Sequence, residues 1–353
     1  MLYASGATLA VIACIYLLLR RGNAFAPDIT TPLRLRRYTA AFFASLALGH
    51  LWYMPVTVLT SSDGIWLSMH IGALLDFMIV VPMAIVVLLC MLQDRRRPLW
   101  SVCVMVAPLV AGLAVSIATR SDDLLPMLYA YFLLTNIGLL IYMVRAVRQY
   151  GRWLRDNYAD LEHKEVWQSF VVLAVIMLMF GIYVFGFEWP AYEYIIQVCG
   201  IILICFLLWR VETLSDLSIS LLPSIDSTAT SDDIGPLLQQ HCVDTRLFLQ
   251  HDLTVTQLAQ AIGTNRFYLG QYFSRQGTTY NAYINNLRIH HFVSLYHEAA
   301  AAQRSCSAKQ LASDSGYRSY STFSLAFKQR MGQSVTAWMR DTAPDGEAVR
   351  HFL

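Results

Sequence analysis

The sequence predicts an all-α protein in two parts. A seven-helix transmembrane bundle occupies residues 1–210, a linker 211–231, and a soluble domain 232–353. Three observations carry this. Charged residues make up only 14% of the 353, against roughly 25% in a typical soluble protein. The long uncharged runs are confined to the first 210 residues. The last hundred or so contain one helical pattern twice.

Seven apolar segments lie at about 2–19, 38–60, 65–92, 99–119, 124–144, 166–187 and 190–209. Each reaches or approaches the ~20 residues that cross ~30 Å of hydrocarbon as a helix. Five of them contain no Asp, Glu, Lys or Arg. Seven such runs in 210 residues leave no polar face for water, which argues against a soluble helical core.

The connecting loops give an orientation. Arg20, Arg21, Arg34, Arg36 and Arg37 fall between the first two segments, and Arg95, Arg96 and Arg97 between the third and fourth. Arg145, Arg148, Arg152, Arg155 and Lys164 fall between the fifth and sixth. The alternate loops carry Arg120 alone. The positive-inside rule then places the N-terminus outside and the C-terminus in the cytoplasm, as in a multi-pass membrane protein. The first segment has no basic residue before it and two just after, so it reads as an anchor rather than a cleaved leader.

Seven cysteines (Cys14, Cys90, Cys103, Cys199, Cys205, Cys242 and Cys306) show no CxxC or Cys/His ligand spacing. They read as small apolar residues, with no metal and no cofactor implied.

From "VETLSDLSISLLPSIDSTATS" (211–231) the chain changes character, and Pro223 breaks any helix continuing from the seventh segment. The soluble domain shows helical periodicity only. Helices are expected at about 233–250, 254–263, 264–276, 279–302, 307–316, 319–331 and 334–340. Thr254 is a natural N-cap, and Gly263 and Gly316 are natural helix stops.

"QLAQAIGTNRFYLGQYF" and "QLASDSGYRSYSTFSLAF" overlay. QLA falls on QLA, Gly263 on Gly316, and Leu269 and Phe273 on Phe323 and Phe327. This is a helix-turn-helix duplicated within one chain. Such a unit lays its second helix in the DNA major groove. In 264–276, Leu269 and Phe273 share the inner face, opposite Phe267, Gln271 and Ser274. In 319–331, Phe323 and Phe327 lie inside, opposite Ser321, Leu325 and Lys328, with Ser324 beside them. Residues 254–340 hold nine Lys/Arg against two acids, which suits a double-stranded DNA partner and salt-sensitive binding. The helix at 279–302 would span about 36 Å, close to the 34–36 Å between major grooves on one DNA face.

Residues 233–340 resemble the DNA-binding domain of the AraC/XylS family of bacterial transcription regulators, most specifically in "GYRSYSTFSLAFKQRMG" (316–332). The resemblance implies base-edge contacts from Phe267, Gly270, Gln271, Tyr320, Ser321, Ser324 and Leu325. Gly270 lacks a side chain where the family often has a polar one. Leu325 offers only apolar contact, such as to a thymine methyl. Arg266, Arg275, Arg318 and Lys328 are assigned to phosphates, which position without specifying. Arg288 is expected to tie the long helix to its neighbours.

The resemblance does not reach the membrane half. In the family, the remaining domain commonly senses a signal or dimerises, so a small-molecule or envelope signal and a homodimer are implied. Three ionisable residues lie within the apolar segments: His50, His70 and Asp76. They form either a polar clamp between helices or a ligand or proton site, and His50 and Asp76 lie at depths where they could pair. No lysine lies in a span, which excludes a retinal Schiff base. No phosphate-binding loop, kinase set or catalytic constellation appears, so no enzyme activity is expected. The competing reading is a membrane transporter or enzyme with a helical regulatory appendage.

Overall fold

Apolar helices build the first half of the chain. The computed structural model describes residues 2–20, 30–172, 174, 190–217, 234–304 and 307–342. The chain divides into two compact units: Met1–Tyr150 with His163–Ser218, and Gly151–Glu162 with Ile219–Leu353.

The first unit comprises α1 (Leu2–Leu19), α2 (Leu33–Trp52), α3 (Ser62–Met91), α4 (Trp100–Thr119), α5 (Leu125–Asn157) up to Tyr150, and α6 (Pro190–Thr213). Among the described residues, five helices are long and apolar enough to cross a membrane, fewer than the seven expected: α1, α3, α4, α5 and α6 from Tyr194 on. The second expected span, 38–60, differs. α2 starts earlier, taking in Arg34, Arg36 and Arg37, and stops at Trp52. Pro55 sits in the short 3-10 turn that follows, and a helix normally ends before a proline. Residues 167–172 of the sixth expected span are helical, and most of the rest of that span lies outside the described residues.

Inside α3, Asp76–Val80 forms a π-helical turn just before Pro82. A proline has no N–H to give the preceding turn, and widening that turn is one way the helix absorbs the loss. Ile85, Leu88 and Leu89 of α3 pack with Val102 and Met143, while Leu109, Leu113 and Leu128 pack α4 on α5.

The arginines counted as loop charges do not all face water. Arg36 and Arg97 are buried. Arg97 pairs with Asp94 at 2.8 Å and donates to the Leu92 carbonyl at 3.0 Å. Gln93 clamps the end of α6 through two 2.9 Å bonds, to the Ser215 carbonyl and from the Leu217 N–H. Leu214 and Leu217 are buried in this unit.

The second unit has no strand ladder among its described residues, only a single antiparallel bridge between Tyr158 and Thr254. Its helices are α7 (Ile234–Leu238), α8 (Val255–Ala261), α9 (Arg266–Arg275), α10 (Tyr280–Ala301), α11 (Ala308–Asp314), α12 (Tyr320–Met331) and α13 (Val335–Thr342). The expected helix at 233–250 is broken. α7 passes into a π turn at Gln239–Val243, and Arg246 takes a left-handed φ of 55° before a 3-10 turn at Leu247–Leu249. The other boundaries agree with the sequence reading to within two residues.

Two hydrophobic cores lie side by side. The first gathers Leu253, Leu258, Ile262, Leu269 and Phe273, and the second Leu311, Tyr317, Phe323, Phe327 and Trp338. α10 serves both. Tyr280 and Ile284 belong to the first core, and Ile289, Phe292 and Tyr296 to the second.

Candidate nucleic-acid interface

Each duplicated unit is set by local chemistry. Thr254 caps α8 in a reciprocal capping box with Gln257, which satisfies two N-terminal N–H groups at once. Asn265 caps α9 through the N–H groups of Phe267 and Tyr268. Ser307 and Ser319 cap α11 and α12. The turn glycines adopt the left-handed backbone that the fold needs, with φ of 73° at Gly263 and 88° at Gly316. Gly316 meets a second constraint, since a Cβ there would lie 2.8 Å from the Cα of Leu249.

With Leu269, Phe273, Phe323 and Phe327 buried, the opposite faces of α9 and α12 turn outward. Phe267 is 70% and Leu325 62% exposed, the highest values among the large apolar side chains described in this unit. Gly270, Gln271, Ser274 and Ser321 are exposed with them. Tyr320 and Ser324 are half-buried, and the Tyr320 ring packs 5.8 Å from that of Phe323. Arg266, Arg275, Arg318 and Lys328 all lie at the surface. Arg318 is held by Asp252 at 3.3 Å.

Arg288 ties α10 to the neighbouring 248–251 stretch, as expected. It is 1% exposed and donates to the carbonyls of Phe248 (2.7 Å), Gln250 (2.6 Å) and His251 (3.3 Å). Its guanidinium lies 5.4 Å from the centre of the Tyr317 ring. Burial lowers the Arg288 pKa, opposed by Tyr317, Tyr280, Asp160 and Asp252. Burial pushes the Tyr317 hydroxyl well up, while Arg288 pulls it back.

Sequence reasoning missed one contributor altogether. Residues 151–162 belong to this unit although they precede its main body by some seventy positions. Ala159 is buried in the first core, and its N–H donates to the Leu253 carbonyl at 3.3 Å. Asn281 donates to the carbonyls of Tyr158 (3.1 Å) and Ala159 (2.6 Å). Thr322, in the first turn of α12, donates to the Glu162 carboxylate at 3.0 Å. The available cue was composition: Asp156, Asp160, Glu162 and Glu165 are four acids in a loop that should be basic.

The intramembrane candidates separate from one another. His50 does not pair with Asp76. Its Nδ1 lies 2.8 Å from the Leu46 carbonyl, and its ring packs 4.7 Å from that of Tyr3. Asp76 instead accepts from the Tyr53 hydroxyl at 2.8 Å. Gly72 makes this possible, because the Tyr53 ring lies where a Cβ would be. His70 stacks on Trp66 at 3.9 Å, and both bond the same oxygen of Asp122, at 3.2 and 2.8 Å. No group of His, Cys, Asp and Glu suited to a metal ion exists among the described residues.

A helix-turn-helix domain family matches residues 258–341, under a quarter of the chain, and supports an AraC-type DNA-binding domain there. No curated protein and no solved structure matches the chain.

Proposed function

We propose that the chain is a membrane-embedded one-component transcription regulator. The second unit reads a specific DNA sequence, and the first senses a small-molecule or envelope signal. The carrying observation is that one continuous helix, α10, supplies both helix-turn-helix cores and so fixes the spacing of two exposed reading faces. At 22 residues it spans about 33 Å, close to one turn of DNA.

In this reading Phe267, Gly270 and Gln271 meet base edges in one groove, and Tyr320, Ser321, Ser324 and Leu325 in the next. The exposed Phe267 and Leu325 suit thymine methyl groups. Arg266, Arg275, Arg318 and Lys328 hold phosphates. The first unit crosses a bacterial inner membrane seven times with the C-terminus in the cytoplasm, and the protein acts as a dimer without catalysis. The separate polar clusters around His50, His70 and Asp76 are its sensing candidates.

The test is selection from random duplexes with the full chain in lipid nanodiscs. The expected product is a two-part site with centres about one helical turn apart, bound less tightly as salt rises. Failure to enrich any duplex at low ionic strength would sink the DNA reading. A C-terminal reporter found outside the cell would sink the topology.

A further inference from the structure

We infer that the segment Tyr158–Glu162 is an acidic brake on the second reading head, one that must come away before α12 engages DNA. The inference rests on the regulator reading above and adds its switch.

Three features place the segment across the DNA approach. It is anchored, not loose: Tyr158 bridges Thr254, Ala159 sits in the first core, and the Asn281 amide holds two of its carbonyls. Its far end delivers a carboxylate to α12. Glu162 accepts the Thr322 hydroxyl at 3.0 Å, in the first turn of a 12-residue helix and next to Ser321. That turn is the positive end of the helix, where the N–H groups and dipole favour a phosphate. A second acid does the same beside it, as Asp252 pairs with Arg318 just before α12. Two donors flanking the N-terminus of α12 thus serve carboxylates of the chain itself.

A DNA phosphate arriving there meets negative charge a few ångströms away, and like charges at that range repel strongly. Docking of the segment and docking of DNA therefore exclude each other. The segment is also built to leave. Just before it in the chain, the end of α5 borders a cavity of about 570 Å³, lined by Arg152, Arg155 and Asp156 and by Asn285, Asn286 and Arg330. The side-chain oxygens of Asn285 and Asn286 are buried without a hydrogen-bond donor. The segment follows directly on α5, whose last turns border this cavity. It begins one residue after α5 ends at Asn157, so a shift of α5 reaches Glu162 within five residues.

The experiment compares the full chain with Glu162→Gln, both in lipid nanodiscs, on a duplex selected with the wild type. Glutamine keeps the size and the acceptor and removes the charge. The variant is expected to bind about 5- to 20-fold more tightly, in the range of ordinary coupling between sites, with the gap closing as salt rises. Equal or weaker binding overturns the brake. Hydrogen exchange on the wild type gives a second measurement that needs no variant. The amides of Ala159 and Glu162, bonded to Leu253 and Asp160, should lose protection when duplex is added. Retained protection in the bound complex overturns the brake. If neither chain binds any selected duplex, the regulator reading falls and the brake with it. If both bind equally, only the brake falls.

Discussion

Arg36 and Glu212 form an ion pair of 3.1 Å with both side chains buried. Arg36 also donates to the carbonyls of Leu17 and Arg20, and Tyr16 donates to the other Glu212 oxygen at 3.1 Å. The pair therefore ties α1, α2 and α6 together. Taking two ions from water costs several kcal/mol each, and only good geometry with added hydrogen bonds offsets it. Glu212→Leu strands a buried guanidinium and is expected to cost about 3–5 kcal/mol. Thermal unfolding of the full chain in nanodiscs should show this as a lower midpoint. Adding Arg36→Met should restore much of the loss. A single variant as stable as the wild type would mean that the pair contributes nothing to the bundle.

Gly316 and Gly263 occupy equivalent turns but should tolerate change differently. Both have positive φ, where a side chain costs about 1–3 kcal/mol. Only at Gly316 would a Cβ also strike backbone, that of Leu249. Nothing lies within 4 Å of a Cβ at Gly263. Gly263→Ala is expected to cost about 1–2 kcal/mol, the strain alone. Gly316→Ala should cost clearly more and displace the segment carrying Leu249. Urea unfolding of the two variants ranks them, and equal losses would contradict the close approach.

What the sequence shows and what it hides divide by range. Caps and turns such as Thr254 with Gln257, Asn265, Gly263 and Gly316 depend on residues a few positions apart, so they can be read directly. So can the buried pairs Leu269/Phe273 and Phe323/Phe327, which follow from helical period. Arg36 was counted as a loop charge because nothing local marks Glu212 as its partner, 176 residues away. Asp76 was matched to His50 by depth, yet helix rotation decides partners, and Tyr53 reaches it across Gly72. The bond from Ala159 to Leu253 is likewise outside any local pattern, and with it the assignment of residues 151–162 to the second unit.

Arg288 is a joint between the two helix-turn-helix cores. Its guanidinium bonds three carbonyls of the 248–251 stretch from the middle of α10. Arg288→Met would remove the guanidinium from the buried Phe248 carbonyl, at about 1–3 kcal/mol if that carbonyl is left dry. The variant is expected to lose stability and, even where folded, to bind a two-part site no better than a single half-site. Comparing affinity for full and half duplexes separates loss of register from loss of folding. A variant with an unchanged ratio would show that α10 alone fixes the spacing.

His291 gives the second unit an acid-side weakness. Burial, and then Arg246, lower its pKa from 6.5, with Glu298 and Asp314 pulling the other way. The unfolded chain therefore takes up this proton more readily than the folded one. The stability it confers is present above about pH 6.5 and is lost as the pH falls below that value. His291→Asn should flatten this part of the stability profile between pH 7 and 5. An unchanged slope would assign the effect to other groups.

Gln271 and Arg275 lie four residues apart on α9, both exposed, yet they should fail in different ways when removed. A side chain reading a base edge makes its contact with one base pair and not another. Gln271→Ala is therefore expected to cost about 1–3 kcal/mol on the selected sequence and almost nothing on a sequence changed at that base pair. A phosphate contact is the same on every duplex and releases a condensed counterion. Arg275→Ala should weaken all duplexes alike and reduce the slope of log K against log salt by about 1. Binding curves for both variants on two duplexes at several salt concentrations decide the matter. If the two substitutions have the same signature, α9 does not lie in the groove with Gln271 inward, and the assignment of the first reading head has to be redrawn.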